Sequence, residues 1–231
     1  MKNCLIFVVL IILSLSCNQG RMESTAGNIS KTEFNITGEV VSELNWMNQP
    51  KSLTVNDGSL KITVDKGTDF FNDPGDSSVV ASAPFLYKEI KGDFVVKALV
   101  QPGFSSQWNA VALMLHLDSL NWIKFAFENS DATGPGIVSV VTKGTSDDAN
   151  GVILNREMRV WLAMARKGNI YSMHWSKDGT DFKMARLTSM PNQDLVKIGI
   201  EAQSPVGESV THEVLFFEIK ETTVEDIRNI N

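Results

Sequence analysis

The sequence predicts an all-β chain folded as a two-sheet antiparallel β-sandwich, and three observations predict it. Short apolar or alternating runs recur from Ser59 to Lys220. Clusters of turn formers separate them: Asn56-Asp57-Gly58, Asp73-Pro74-Gly75-Asp76, Gly134-Pro135-Gly136, Asp178-Gly179 and Pro205-Val206-Gly207. No long window carries a helical apolar period before the C-terminal tail. Hydrophobic residues are 43% of the 231, enough for a sizeable core.

The chain begins with a segment of a different kind. Lys2 precedes an apolar run, Leu5 to Leu15, too short to span a bilayer but of secretory length. In Leu13-Ser14-Leu15-Ser16-Cys17 a small residue stands directly before a cysteine, as at a bacterial lipoprotein cleavage site. There the cysteine becomes the lipidated first residue. An ordinary cleaved signal with a chance cysteine is the other reading. Residues 1–16 are expected to be a lipoprotein signal peptide, 17–33 a polar flexible tether, 34–222 the sandwich and 223–231 a short tail. The expected location is the bacterial cell envelope, membrane-anchored, either periplasmic or surface-exposed. The sequons Asn28-Ile29-Ser30 and Asn35-Ile36-Thr37 are read as coincidence in such a protein.

The chain has two cysteines, and Cys4 leaves with the signal, so no internal disulfide is expected and burial must supply stability. The net charge of −6 argues against a nucleic acid partner, because an acidic surface repels phosphates. Membrane attachment is expected through lipid on Cys17, not through a basic patch.

Taken in order, the strands are expected at Ser59–Val64, Asp93–Gln101, Ala110–Leu117, Trp122–Glu128, Ile137–Thr142, Arg159–Arg166, Ile170–Ser176, Val196–Gln203 and Val214–Lys220. Thr223 is placed to cap a short helix over Val224–Ile230. Alternation assigns faces. Ile123, Phe125 and Phe127 point to the interior, and a turn at Asp118-Ser119-Leu120 pairs them with Leu115, Leu113 and Val111. A slip of one residue would set small Ala and Met against the aromatics, so the first register is preferred. The opposite face then carries Ala110, Ala112, Met114, His116, Trp122, Lys124, Ala126 and Glu128. Small residues with a Trp and sparse charges suit a semi-buried concave surface. Lys124 and Glu128 lie about 13 Å apart along the strand, so each needs partners from neighbouring strands. Arg159 shares a face with Trp161, and Glu201 with Gln203, the latter pair alternating with Ile198, Ile200 and Ala202.

From Trp46-Met47-Asn48-Gln49-Pro50 to Phe216-Phe217 the chain resembles the concanavalin A-like family of unknown function that includes the regulation of enolase protein. The matching pieces arrive in family order: Thr68-Asp69-Phe70-Phe71, Ala112-Leu113-Met114, Trp122-Ile123-Lys124 with Glu128, Ser139-Val140-Val141-Thr142, Ser146-Asp147, Ser176-Lys177-Asp178-Gly179, Ala185-Arg186 and Ala202-Gln203-Ser204-Pro205. The resemblance implies a two-sheet jelly roll with a concave face, and fold alone implies no activity. Asn109-Ala110 stands where the family often has Asp-Gln, and Asp148 where it often has Trp.

A concave face with Asp69, Trp122, Lys124, Glu128, Trp161, Arg186 and Gln203 is the candidate ligand site. Aromatic faces stack on sugar C–H surfaces, and charged groups hydrogen-bond hydroxyls. Carbohydrate is therefore the expected ligand, recognised without catalysis. The competing reading is a structural charge network under a loop, with Trp122 as packing. Two further alternatives are a glycoside hydrolase and a protein-interaction module. Glu128, Glu201 and Asp69 are the candidate acids of a hydrolase. No Glu-x-Asp-x-x-Glu pattern occurs, and Lys124 is expected to hold nearby carboxylates ionised, which does not suit a general acid. His116, His174 and His212 are scattered and read as ordinary sheet positions. No cofactor is expected, although Asn72-Asp73-Pro74-Gly75-Asp76 and Asp147-Asp148 are conceivable calcium turns. Ser176–Phe182 is similar to a sialidase-type Asp-box but one residue short, and Asp178-Gly179 reads as a two-residue hairpin turn.

Overall fold

The computed structural model describes residues 36–56 and 58–231. Cys17, the signal segment and the tether lie outside the described residues.

Two seven-stranded sheets carry the chain. The first runs, in spatial order, β1 (Asn45–Met47), β6 (Phe85–Lys91), β15 (Leu195–Gln203), β8 (Ala110–Asp118), β9 (Asn121–Ser130), β10 (Gly134–Lys143) and β11 (Thr145–Ile153). The second runs β14 (Lys183–Ser189), β13 (Ile170–Ser176), β12 (Val160–Lys167), β7 (Phe94–Gln101), β16 (Val210–Lys220), β3 (Ser59–Val64) and β2 (Ser52–Asn56). A two-stranded ribbon, β4 (Phe70–Asn72) with β5 (Val79–Ala81), and a five-residue helix, α1 (Gly38–Ser42), complete it. Every strand pair is antiparallel. Every expected strand is present, with its ends moved by a few residues at most.

The two inner faces meet in one large core. The β8–β9 register is the expected one: Val111 faces Phe127, Leu113 faces Phe125 and Leu115 faces Ile123. All six are fully buried. Burying each such side chain contributes about 1.5–3 kcal/mol. Asp118 tightens the turn by accepting the Leu120 N–H at 2.8 Å. Leu117, at a bulge between His116 and Asp118, joins the core as well.

Three expectations change. Gly134-Pro135-Gly136 is no turn; it pairs with Ser130, Asn129 and Glu128, and Asp131 to Thr133 makes the bend. Gly136 is needed because a Cβ there would lie 2.7 Å from the Val152 carbonyl oxygen, where β11 closes in. Asp178-Gly179 is not a two-residue turn but part of a longer loop between β13 and β14. Its Asp178 carboxylate accepts the Thr180 and Asp181 N–H groups. Finally, no helix forms over Val224–Ile230. That tail lies on the outer face of the second sheet, where Val224, Ile227 and Ile230 pack with Val95, Ala163, Ala165 and Phe182.

Strands β1, β2, β4, β5, β6, β11 and β14 are absent from the expected set. Strand β11 reads Thr-Ser-Asp-Asp-Ala-Asn-Gly-Val-Ile and is mostly exposed at the sheet edge. An edge strand with no buried face carries no apolar alternation to read.

Candidate functional site: an acidic cleft over an alanine floor

Registers place the polar side chains on the outer face of the first sheet in rungs. One rung is Gln203, Ala110 and Glu128; the next is Glu201, Ala112 and Ala126; the third is Met114, Lys124, Val140 and Asp148. Ala110, Ala112 and Ala126 form a floor of small residues. All three alanines are fully buried.

Half of this face is filled. Phe70 packs edge-on against Trp122, with ring centroids 6.1 Å apart, and against His116 at 6.3 Å. Phe85, Met114, Val138 and Val140 join them. Asn72 fastens the ribbon down by donating to the Ser119 and Gly144 carbonyls. The expected open concave surface is therefore a plug here, and Trp122 is packing, 1% exposed. Its ring cannot receive a sugar.

The other half is an open cleft of about 340 Å³, lined by Asp69, Phe71, Asp73, Trp108, Lys124, Glu128, Asp131, Val140, Asp148, Gln203 and Pro205. Lys124 is its buried centre. Its ammonium donates to Asp69 Oδ1 at 2.8 Å, the Phe70 carbonyl at 3.0 Å and Gln203 Oε1 at 2.6 Å. Gln203 Nε2 in turn donates to the Trp108 carbonyl at 2.9 Å. The Asp69 segment is held in place because Gly67 N–H donates to the Ser204 carbonyl and Thr68 bridges Ser204. Burial opposes the charge on Lys124, but Asp69, Glu201 and Glu128 outweigh it and push its pKa up.

The carboxyls behave in the opposite way. Burial raises Glu128 to about 8, only partly offset by Lys124, with Asp148, Asp69 and Asp131 adding to the rise. Burial likewise raises Glu201 to about 8. Both Glu201 carboxyl oxygens are buried without a hydrogen-bond partner. Burial raises Asp148 too. Lys124 was expected to hold its neighbours ionised. Its charge does lower Glu128, Glu201 and Asp148, but desolvation outweighs it at all three.

Of the sequence-derived site residues, Asp69, Lys124, Glu128 and Gln203 converge on the cleft. Trp161 does not: it lies on the outer face of the second sheet against Phe216, ring centroids 4.8 Å apart. Arg186 does not either. It bridges the sheet edges, with Nη2 on Asp147 Oδ2 at 2.7 Å and Nη1 on the Ser139 carbonyl at 3.1 Å. Asp147 points inward in the β10–β11 register and Asp148 outward, which is why one pairs with Arg186 and the other lines the cleft. Sequence reasoning missed Trp108, Asp131 and Asp148. Trp108 sits at φ 59° in a loop that strand alternation does not cover. Asn109 fixes that loop, its Oδ1 accepting N–H and hydroxyl donors from Ser105 and Ser106.

In the first candidate calcium turn the carboxylates bond the turn's own backbone. Asp73 Oδ1 accepts the Gly75 N–H at 2.6 Å and Asp76 Oδ1 accepts the Ser78 N–H at 2.8 Å. Among the described residues no group of three or more His, Cys, Asp or Glu is placed to hold a metal ion.

Residues 46–222 match the family described as "Protein of unknown function (DUF1349)". The chain belongs to this family. It is 27% identical over 165 residues to "Regulation of enolase protein 1" of Saccharomyces cerevisiae, covering 71% of this chain and 83% of that one. Among solved structures, the chain aligns with a functionally unknown protein from Saccharomyces cerevisiae at TM-score 0.74 and 23% identity, covering 80% of this chain and 99% of that one. A xylan beta-1,4-xylosidase from Bacillus halodurans aligns at 0.59 and 14%, covering 78% of this chain but only 39% of the enzyme. The exoplasmic/lumenal domain of VIP36, in a Ca2+/Man3GlcNAc-bound form, aligns at 0.50 and 10%, covering 80% and 86%. At these identities the structural likeness speaks for the sandwich fold alone.

Proposed function

We propose that this DUF1349 chain recognises carbohydrate, without catalysis, in the cleft beside Lys124. One observation carries the reading. A preformed cleft of about 340 Å³ combines a partly exposed indole, Trp108, with polar groups fixed by buried bonds. Such a mixture, an aromatic wall and a few oriented polar groups, suits a sugar ring. The Man3GlcNAc-bound VIP36 domain, of the same sandwich class, agrees with it. A glycan array followed by calorimetry on the full chain tests it. Trp108→Ala is expected to weaken any detected binding by on the order of tenfold, whereas Trp161→Ala leaves affinity unchanged. Unaltered binding in Trp108→Ala would remove the cleft from consideration.

A second reading is favoured by Glu128. A carboxyl held protonated to about 8 at the wall of a cleft has the protonation of a general acid. Reducing-sugar release that vanishes in Glu128→Gln would establish hydrolysis.

The anchoring belongs to the same proposal: the chain is tethered to a bacterial cell envelope through lipid on Cys17. The small residue before that cysteine supports it. Labelled palmitate should enter the chain and be lost in Cys17→Ala; equal labelling of both would refute the anchor.

A further inference from the structure

The carbohydrate reading leaves open what kind of sugar the cleft takes, and its charges narrow the choice. Among the described residues the cleft has one cation, and that cation is used up. Lys124 has three N–H donors, and they go to Asp69, the Phe70 carbonyl and Gln203. Its side chain is 3% exposed. No other Lys or Arg among the described residues lines the cleft. An anionic ligand would therefore meet carboxyls and no free donor cation.

Glu128 is the complement of this. It lines the cleft, is 6% exposed, and makes no hydrogen bond or ion pair through its side chain among the described residues. Its carboxyl is therefore open to a partner that enters the cleft. Asp131 and Asp148 line the same cleft, and both act on Glu128 through their charge. The carboxyls do not converge as metal ligands do, since no group of three among the described residues is placed for an ion. They line the same cleft as Trp108. Carboxyls that share a cleft with an aromatic ring suit an organic cation whose charge sits on a ring-sized body.

We infer that the cleft selects a sugar bearing a free amine, with Glu128 receiving the ammonium and Trp108 the apolar face of the ring. The inference rests on the carbohydrate reading and adds the ligand's charge. An ammonium at Glu128 supplies the missing partner and offsets the mutual repulsion of Glu128, Asp148, Asp69 and Asp131. Lys124 stays on its own three acceptors. A carboxyl that is protonated in the free cleft gives up that proton when the ammonium arrives, so binding is coupled to proton release.

Calorimetry on the full chain with matched oligosaccharides of glucosamine, N-acetylglucosamine and galacturonate tests this, at a pH where the amine is protonated. The glucosamine oligomer should bind at least about tenfold more tightly than its acetylated counterpart, with a preference that shrinks as salt rises. Galacturonate should not bind. Repeating the titration in buffers of different ionisation enthalpy should show about one proton released per site. Glu128→Gln should abolish both the preference and the release. Asp148→Asn, at an exposed position that the fold tolerates, should reduce the preference by itself. If the acetylated sugar binds as tightly as the free amine, the inference fails and the carbohydrate reading stands. If neither sugar binds, both fail. A preference that survives intact in both variants also overturns the assignment to this cleft.

Discussion

At the scale of single residues, the cleft shows how one side chain serves several groups. Lys124 is a buried ammonium with every donor filled, and Asp69 and Gln203 are oriented by it. Removing one partner of a buried pair is costly because the other charge is left uncompensated. Lys124→Met should therefore destabilise the chain by about 3–5 kcal/mol in urea unfolding. Phe70 should loosen with it, since its carbonyl loses a donor. A loss below about 1 kcal/mol would mean that the network is not a stabilising one. Lys124 was legible in the sequence as a lone cation on a face of small residues. Its partners were not, because Asp69 is 55 residues away and Gln203 79 residues away. The reach of a side chain across a fold is not written in local alternation. Trp122 was misjudged for the same reason. Alternation put it on the correct face, and only the ribbon laid over that face made it packing.

At the scale of elements, strands with one apolar face were readable and edge strands were not. The β8–β9 pair follows from the hydrophobic pattern alone, because a one-residue slip would move every side chain to the wrong face. Strand β11 has no such constraint, yet it supplies Asp147 to Arg186 and Asp148 to the cleft. The tail is the clearest correction. Its apolar residues fall at Val224, Ile227 and Ile230, a spacing that a short helix would also show. An isolated helix of that length is too short to nucleate in water. The segment instead docks irregularly, with the Lys167 ammonium on the Glu225 carbonyl at 2.7 Å and Asn231 bonded both ways to the Phe182 backbone. Ending the chain at Thr222 should uncover Phe182, Ala163 and Ala165 and cost roughly 2 kcal/mol or more. Thermal melting of the truncated chain checks this, and an unchanged midpoint would show that the tail is not docked.

At the scale of the whole molecule, the buried carboxyls make stability depend on pH. Glu201 rises from an ordinary value of 4.5 to about 8 in the folded state. Between those values the folded chain holds a proton that the unfolded chain has released. Stability is then fully present below 4.5 and falls as pH rises towards about 8. Glu128 has the same sign. Unfolding free energy should drop by a few kcal/mol between mildly acidic and mildly alkaline pH. Glu201→Gln should flatten that slope, and an equally steep slope in the variant would assign it to other groups.

The sequence by itself determined the fold class, the position and facing of the core strands, and the face on which Lys124 and Glu128 stand. These follow from an alternation that water enforces locally, residue by residue. Tertiary structure alone decided which part of that face is open. The ribbon and the Trp108 loop come from distant segments; the first fills one half of the face and the second walls the other. It also decided that Arg186 and Trp161 serve the scaffold, because they sit on the other sheet, and that Glu128 has no side-chain partner among the described residues beside a fully engaged Lys124. Burial and distance between remote segments set those outcomes, and neither has a local signature along the chain.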